Sequence, residues 1–195
     1  DTFFPPIFNA LDIIQKKFLV TQSTKIMSND LPDGRIMTEL NGFIGSSILK
    51  DNNGRSFIIR GKTDIVIEFS TKPKKYGIID LKTTNINPSK VEAYKMQLES
   101  YATIFENPNS KTPKFNDVEE LGLYLFEPKE ITKISDGSCH MKFETMYLKG
   151  NRCHNDLINR ISNIIDIYLL KEAPDYNLAC SSCKFVLSLK KEKYI

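Results

Sequence analysis

Apolar residues recur every three or four positions in three segments of the chain, which predicts three amphipathic helices. The first covers residues 8–20. The second begins at Asn87-Pro88, because asparagine caps helices and proline fits their first turn, and it stops at Asn107-Pro108. The third ends before Pro174. The apolar positions are Ile7, Leu11, Ile14 and Phe18 in the first; Val91, Tyr94, Leu98, Tyr101, Ala102 and Phe105 in the second; and Leu157, Ile158, Ile161, Ile164, Ile165 and Tyr168 in the third.

Between the helices the pattern changes to short apolar or alternating runs, which predicts strands. The dipeptides Asn53-Gly54 and Asp136-Gly137 are typical of tight turns between strands, so each predicts a β-hairpin. A polar loop is predicted at residues 21–34. Strands are predicted at residues 42–49, 56–69, 76–82, 121–126, 131–135 and 138–148. The resulting order, α-β-β-β-α-β-β-β-α, predicts an α/β fold in which helices flank a mixed central β-sheet.

Composition limits the class of protein, the number of domains and the possible partners. The chain has 195 residues, 41% of them hydrophobic and 26% charged, as is ordinary for a globular protein. We expect a single domain over residues 1–195, with an N-terminal helix and loop at 1–40 and a cysteine-containing tail at 175–195. Neither a membrane-length apolar run nor a signal peptide is present, so we expect a cytoplasmic location, reduced thiols and no membrane partner. A net charge of +3 is too small to identify a partner, and nothing indicates an oligomeric state.

Two acids and a lysine lie on two predicted neighbouring strands. Side chains alternate across a strand, so Asp80 and Lys82 share one face while Ile79 and Leu81 point to the core. If the two strands pair, Asp64 converges with Asp80 on one cation. Hard cations such as Mg²⁺ prefer oxygen ligands, and such ions promote phosphodiester hydrolysis. The lysine can orient or deprotonate a water molecule, or offset charge on a phosphate.

These residues also have interpretations without a catalytic role. A lone aspartate and lysine two positions apart can form a strand-end ion pair worth about 0–1 kcal/mol. Gln97 and Tyr101 lie one turn apart on the second helix, where Tyr101 fits the apolar stripe. Gln97 borders the buried face, where an amide requires a hydrogen-bond partner. The order and spacing of the fragments favour an active site over separate structural roles.

The ordered fragments Gly-x-x-Asp at 61–64, Asp-x-Lys at 80–82 and Gln-x-x-x-Tyr at 97–101 resemble the PD-(D/E)XK nuclease superfamily, and within it the RecB-like branch. The resemblance covers about residues 40–126. It implies a restriction-endonuclease-like core with the order αβββαβ, and a site that binds Mg²⁺ or Mn²⁺.

The resemblance also implies a role for each residue of the site. The implied catalytic residues are Asp64, Asp80 and Lys82. The implied metal ligands are Asp64, Asp80 and the backbone carbonyl of Leu81, and the implied substrate-binding residues are Gln97 and Tyr101.

One expected ligand is missing from the matching segment. Many relatives carry a further histidine or glutamate ligand on a helix before the sheet, but His140 and His154 both follow the motif. Three alternatives remain: Glu39 takes this role, the ligand belongs to a segment that precedes this sequence, or the site is weakened.

The cysteines indicate two further possibilities. Some RecB-like exonucleases bind an iron–sulfur cluster through one early and three late cysteines, but the first cysteine here is Cys139, so we expect no such cluster. Cys153, His154, Cys180 and Cys183 could together form a zinc site, although their spacing is irregular for one.

The combined prediction is a metal-dependent DNA nuclease, acting as an exonuclease in DNA repair, recombination or defence. The preference for an exonuclease rests on analogy with the RecB-like branch. One alternative is an endonuclease of the same superfamily. Another is a catalytically inactive nucleic-acid-binding module, which the missing upstream ligand favours. A structural or interaction protein is the third.

Overall fold

The computed structural model describes residues 6–37, 42–172 and 174–191. Glu39 lies outside these residues. The helices are α1 (Pro6–Leu19), α2 (Lys90–Glu106), α3 (His154–Tyr168) and α4 (Ser181–Lys191), with a short 3₁₀ helix at Thr24–Ile26. The strands are β1 (Gly34–Ile36), β2 (Ile44–Gly45), β3 (Leu49–Lys50), β4 (Ser56–Phe57), β5 (Arg60–Gly61), β6 (Ile65–Phe69), β7 (Tyr76–Thr83), β8 (Val118–Ser135) and β9 (Ser138–Gly150).

Five strands form the central sheet in the order β1-β6-β7-β8-β9. Strands β7 and β8 are parallel, whereas every other neighbouring pair in this sheet is antiparallel. Helix α2 makes the crossover that a parallel pair requires. The predicted α/β fold with a mixed, helix-flanked sheet is therefore confirmed, and the arrangement is consistent with a restriction-endonuclease-like core.

Both faces of the sheet are covered, because alternate residues of the central strands pack into two separate cores. Ile78 faces the core formed with α2, where Leu98 and Phe105 are fully buried. Ile79 faces the opposite core, which includes Leu19 at the end of α1. Asp80 follows the alternation onto the α2 side, so it is buried rather than pointing into open solvent.

Helix α1 packs differently from its apolar pattern. Ile7, Ile14 and Phe18 are exposed, whereas Lys16 and Leu19 are buried. The predicted helix is present, but the apolar stripe that typically faces the core is largely exposed in α1. The buried lysine has two carboxylate partners, Asp12 on the same helix and Asp64 beneath it, which compensate for its loss of water.

Several predicted boundaries also differ from the structure. The predicted loop at 21–34 contains the 3₁₀ helix and the start of β1, which is too short to show strand periodicity. The predicted strand at 56–69 is interrupted before β6. Strand β8 runs unbroken where two strands were predicted, and the predicted tail at 175–195 contains α4.

Candidate active site

The register of β6 and β7 brings the first two sequence fragments together. Ile65 pairs with Ile79 in this antiparallel ladder, so Asp64, which directly precedes β6, continues the register toward Asp80. The backbone N–H of Leu81 donates a hydrogen bond of 2.8 Å to Oδ2 of Asp64. The two carboxylates therefore occupy neighbouring positions at one end of the strand pair.

The Asp80 carboxylate is buried but only partly satisfied. Its Oδ1 accepts a hydrogen bond of 3.0 Å from Nε2 of Gln97. Its Oδ2 lies 2.6 Å from Nζ of Lys82, but within the described residues no donor approaches it with hydrogen-bond geometry. Burial, together with the charge of Asp64, raises the pKa of Asp80 to about 6, against the opposing effect of Lys82. Oδ2 thus keeps acceptor capacity inside the site.

Lys82 extends from the same strand face toward α2. Its ammonium group lies 4.7 Å from the ring centroid of Tyr94, in addition to the ion pair with Asp80. Burial alone would lower the pKa of Lys82, but the adjacent Asp80 carboxylate outweighs burial and raises it. The lysine is therefore held as a cation next to the partly satisfied carboxylate.

Helix α2 supplies the third fragment. Nε2 of Gln97 contacts the hydroxyl of Tyr101 at 2.9 Å as well as Asp80, so these side chains form one chain of contacts. The Tyr101 ring is buried against Gly61, where an added Cβ atom would lie 2.7 Å from ring atom Cε1. A glycine at position 61 allows this close approach of the ring to the backbone, and it lets the helix lie directly over the site.

Helix α1 contributes residues that the sequence patterns did not identify. Nζ of Lys16 lies 2.7 Å from Oδ1 of Asp64 and 2.8 Å from Oδ2 of Asp12. Burial would lower the pKa of Lys16, but its bonds to Asp12 and Asp64 raise it. Gln15 donates to the hydroxyl of Thr83 at 2.9 Å and fixes the helix to the end of β7. The available sequence signal was the pair Asp12 and Lys16, spaced one helical turn apart.

The residues of the possible zinc site are not assembled. All four cysteines are free, and in the described parts of the chain no group of three or more His, Cys, Asp or Glu side chains is placed to hold a metal ion. His154 instead lies 3.7 Å from Oε1 of Glu99. The structure therefore does not bring Cys153, His154 and the Cys180–Cys183 segment into one site.

The donor set of the strand pair fits a hard divalent cation. Two carboxylates lie side by side, one with a buried oxygen that accepts no hydrogen bond, and the Leu81 peptide is adjacent to Asp64. Lys16 and Lys82 bring positive charge to the same carboxylates. A cation bound here would therefore replace lysine contacts that the structure now contains.

Comparisons with known proteins place this geometry in a family. Among curated proteins, none matches the sequence significantly. The crystal structure of SSO0001 aligns with 93% of this chain and 68% of its own chain, at 17% identity and a TM-score of 0.49. The family model of the PD-(D/E)XK nuclease superfamily matches residues 24–186, which include the strand pair and α2. The chain therefore belongs to the PD-(D/E)XK nuclease superfamily.

Proposed function

We propose that this protein is a metal-dependent deoxyribonuclease of the RecB-like branch, with exonuclease activity that serves DNA repair, recombination or defence. Membership of a nuclease superfamily supports hydrolysis of nucleic acid. The observation that carries the proposal is the cluster around the buried Asp80 carboxylate, whose Oδ2 forms an ion pair with Lys82 but accepts no hydrogen bond of regular geometry within the described residues, with Asp64 beside it. An acid pair and a lysine held together in this way are the groups that a hard cation and a phosphate require.

Each residue then has a distinct role. Asp64 and Asp80 would hold Mg²⁺ or Mn²⁺ together with the carbonyl of Leu81, and the ion would activate water and stabilise charge on the phosphate. Lys82 would orient the attacking water or offset charge that develops in the transition state. Gln97, which donates hydrogen bonds to Asp80 and to the Tyr101 hydroxyl, would orient Asp80 and, with Tyr101, help to place the substrate. Glu39 stays a candidate for a further ligand.

The contact between Lys16 and Asp64 favours one alternative function. A lysine ammonium 2.7 Å from a proposed metal ligand competes with a cation for that oxygen. A protein in which this contact persists would bind nucleic acid without cleaving it. The catalytically inactive binding module therefore remains the second candidate.

The two candidates and the two nuclease modes can be separated in one assay. Labelled linear and circular DNA would be incubated with the protein in Mg²⁺, in Mn²⁺ and in EDTA. We expect metal-dependent digestion of linear DNA alone. Cleavage of circular DNA would identify an endonuclease, and binding without cleavage in either metal would overturn the nuclease proposal.

Lys82→Ala tests the assigned chemistry within the same assay. Removing one positive charge should leave DNA binding nearly unchanged, since one phosphate contact is a small share of the electrostatic attraction. Single-turnover cleavage should fall by about 100-fold or more, because the lysine acts on charge formed in the transition state. Equal losses of binding and cleavage would show that Lys82 is only a phosphate anchor.

The region described contains no helix long and apolar enough to cross a membrane. We propose a cytoplasmic location and a single nuclease domain over residues 1–195. DNA is the proposed partner.

A further inference from the structure

A groove of about 440 Å³ opens beside the proposed active site. One wall is the strand segment at residues 57–60, the other is α3, and α2 forms the floor. Gln97 lines this floor and also donates its hydrogen bond to Asp80. Gln97 therefore links the groove, through one hydrogen bond, to the buried carboxylate at which cleavage is proposed.

The walls of the groove are mainly apolar and partly exposed. Ile58 on the strand segment and Ile164 on α3 expose 57% and 54% of their surface. Ile161 and the half-buried Phe57 also line the groove. Apolar walls of this kind suit the flat faces of nucleic acid bases.

Two arginines supply the charge of the groove. Arg60 and Arg160 are exposed at its edges, and neither has an ion-pair partner within the described residues. No carboxylate lines the groove. The Arg60 guanidinium instead lies 5.9 Å from the ring centroid of the exposed Phe43. Uncompensated arginines beside apolar walls fit a polyanion that also presents flat, apolar faces.

We propose that this groove holds a single DNA strand beside Gln97, next to the Asp80 site, so that the nuclease acts on unpaired DNA. This inference rests on the proposed function. In a duplex the base faces are stacked against one another and cannot contact the groove walls. An unpaired strand can place its bases against the walls and its phosphates near Arg60 and Arg160.

The test compares single-stranded and blunt duplex DNA by fluorescence anisotropy in EDTA, where binding is measured without cleavage. We expect wild type to prefer the single strand. Ile164→Asp places a negative charge on the apolar wall and should weaken single-strand binding about tenfold, comparable with removing the stacking of one base. Ile167→Asp is the matched control, because Ile167 lies on the same helix with 55% of its surface exposed and does not line the groove.

Salt dependence provides a second readout. Arg60→Gln combined with Arg160→Gln should reduce the slope of log affinity against log salt by about 1.4, which corresponds to about 0.7 for each phosphate that is no longer neutralised. Arg35→Gln on β1, which removes an exposed charge that does not line the groove, should leave binding unchanged. Circular dichroism confirms that each variant is folded.

The outcomes separate this inference from the proposed function. If wild type cleaves DNA but Ile164→Asp and the double arginine variant bind like their controls, the groove serves another partner and the inference is overturned. A preference for duplex DNA would also overturn it. If the groove variants lose single-strand binding while wild type cleaves nothing, the inference stands and the nuclease proposal fails.

Discussion

Asp80 and Glu99 are both almost inaccessible to solvent, but the protein satisfies their carboxylates to very different degrees. Glu99 accepts two hydrogen bonds of 2.9 Å from Arg152 and a third of 2.9 Å from the backbone N–H of Cys153. Asp80 accepts one hydrogen bond and forms an ion pair with Lys82, and burial raises its pKa to about 6. Glu99 has the environment of a structural ion pair, whereas Asp80 has the less complete set of partners that the proposed metal ligand requires.

The comparison teaches that burial of a charge does not identify its role. Arg152 also binds Glu106 and the carbonyl of Val118, so it joins α2 to the start of β8 and to the segment before α3. These bonds give both oxygens of the buried Glu99 carboxylate a donor. Where partners are complete the group stabilises the fold, and where they are incomplete the site keeps binding capacity.

The largest expected effect is loss of cleavage in Asp80→Asn. The amide keeps the shape of the side chain but loses the charge that would hold the cation, so the single-turnover rate should fall by at least about 1,000-fold. Thermal unfolding would check that the variant remains folded. Full activity in a folded Asp80→Asn protein would contradict the proposed function.

Arg152→Met should lower the stability of the protein and leave its cleavage activity intact, the opposite of Asp80→Asn. It leaves Glu99 as an uncompensated buried charge, which costs about 3–5 kcal/mol of the free energy of unfolding. Urea unfolding measures the loss, and activity per folded molecule should be retained.

The matched control for Arg152→Met is Lys149→Met. It also removes a cation from a buried glutamate, Glu120, but 64% of the Lys149 side chain is exposed. That pair should contribute about 1 kcal/mol or less. Equal losses in the two variants would show that the Glu99 cluster is not a structural centre.

The sequence predicts the strands that carry Asp80 and Lys82 better than it predicts the contacts of Glu99. The apolar runs identify β6 and β7, and strand alternation places Asp80 and Lys82 together because both rules depend only on nearby residues. The contacts of Glu99 with Arg152 join residues 53 positions apart, and no local pattern marks such a pair.

Helix α1 shows why the rest of the site could not be predicted. Much of its predicted apolar stripe is exposed, and the helix instead buries Lys16 against Asp64, a carboxylate that only the fold brings near. Propensity and periodicity describe an isolated helix, whereas the contact of Lys16 with Asp64 joins residues far apart in the sequence. Strand β1 could not be predicted for a related reason. Its three residues are too few to show alternation, and the strand is defined by its pairing with β6.

The raised pKa of Asp80 predicts a pH-dependent stability difference. A carboxyl group whose folded-state pKa lies above its unfolded value favours the folded state at low pH, and this contribution is lost as pH rises from about 4 through about 6. In EDTA at pH 8, Asp80→Asn should therefore be more stable than wild type by about 1–3 kcal/mol. The gain is at the lower end of this range if the loss of the ion pair with Lys82 offsets part of it. Most of this gain should disappear by about pH 4.

Urea unfolding of both proteins across this pH range measures the difference. A stability difference that does not change between about pH 4 and pH 8 would show that burial does not perturb Asp80 in the folded protein. The comparison with Glu99 would then lose its electrostatic basis.

The smallest expected effect is a change in metal affinity in Lys16→Met. This variant tests whether Lys16 competes with a divalent cation for Asp64. Removing the ammonium group leaves Asp64 and Asp12 without their shared partner, so a divalent cation gains attraction and loses a competing charge. We expect calorimetric titration with Mn²⁺ to show about tenfold tighter binding, or about 1.4 kcal/mol, well within the range of one short-range charge contact near a protein surface. Lys17→Met is the matched control, since Lys17 is exposed on the same helix.

If Lys16→Met binds Mn²⁺ no more tightly than Lys17→Met, Lys16 does not compete with the cation. Weaker binding would mean that Lys16 instead positions Asp64 as a ligand, because the carboxylate loses its fixed orientation together with the lysine. Tighter binding with a faster single-turnover rate would show that α1 restrains the active site, and that Asp64 resembles Asp80 rather than Glu99 in keeping its binding capacity.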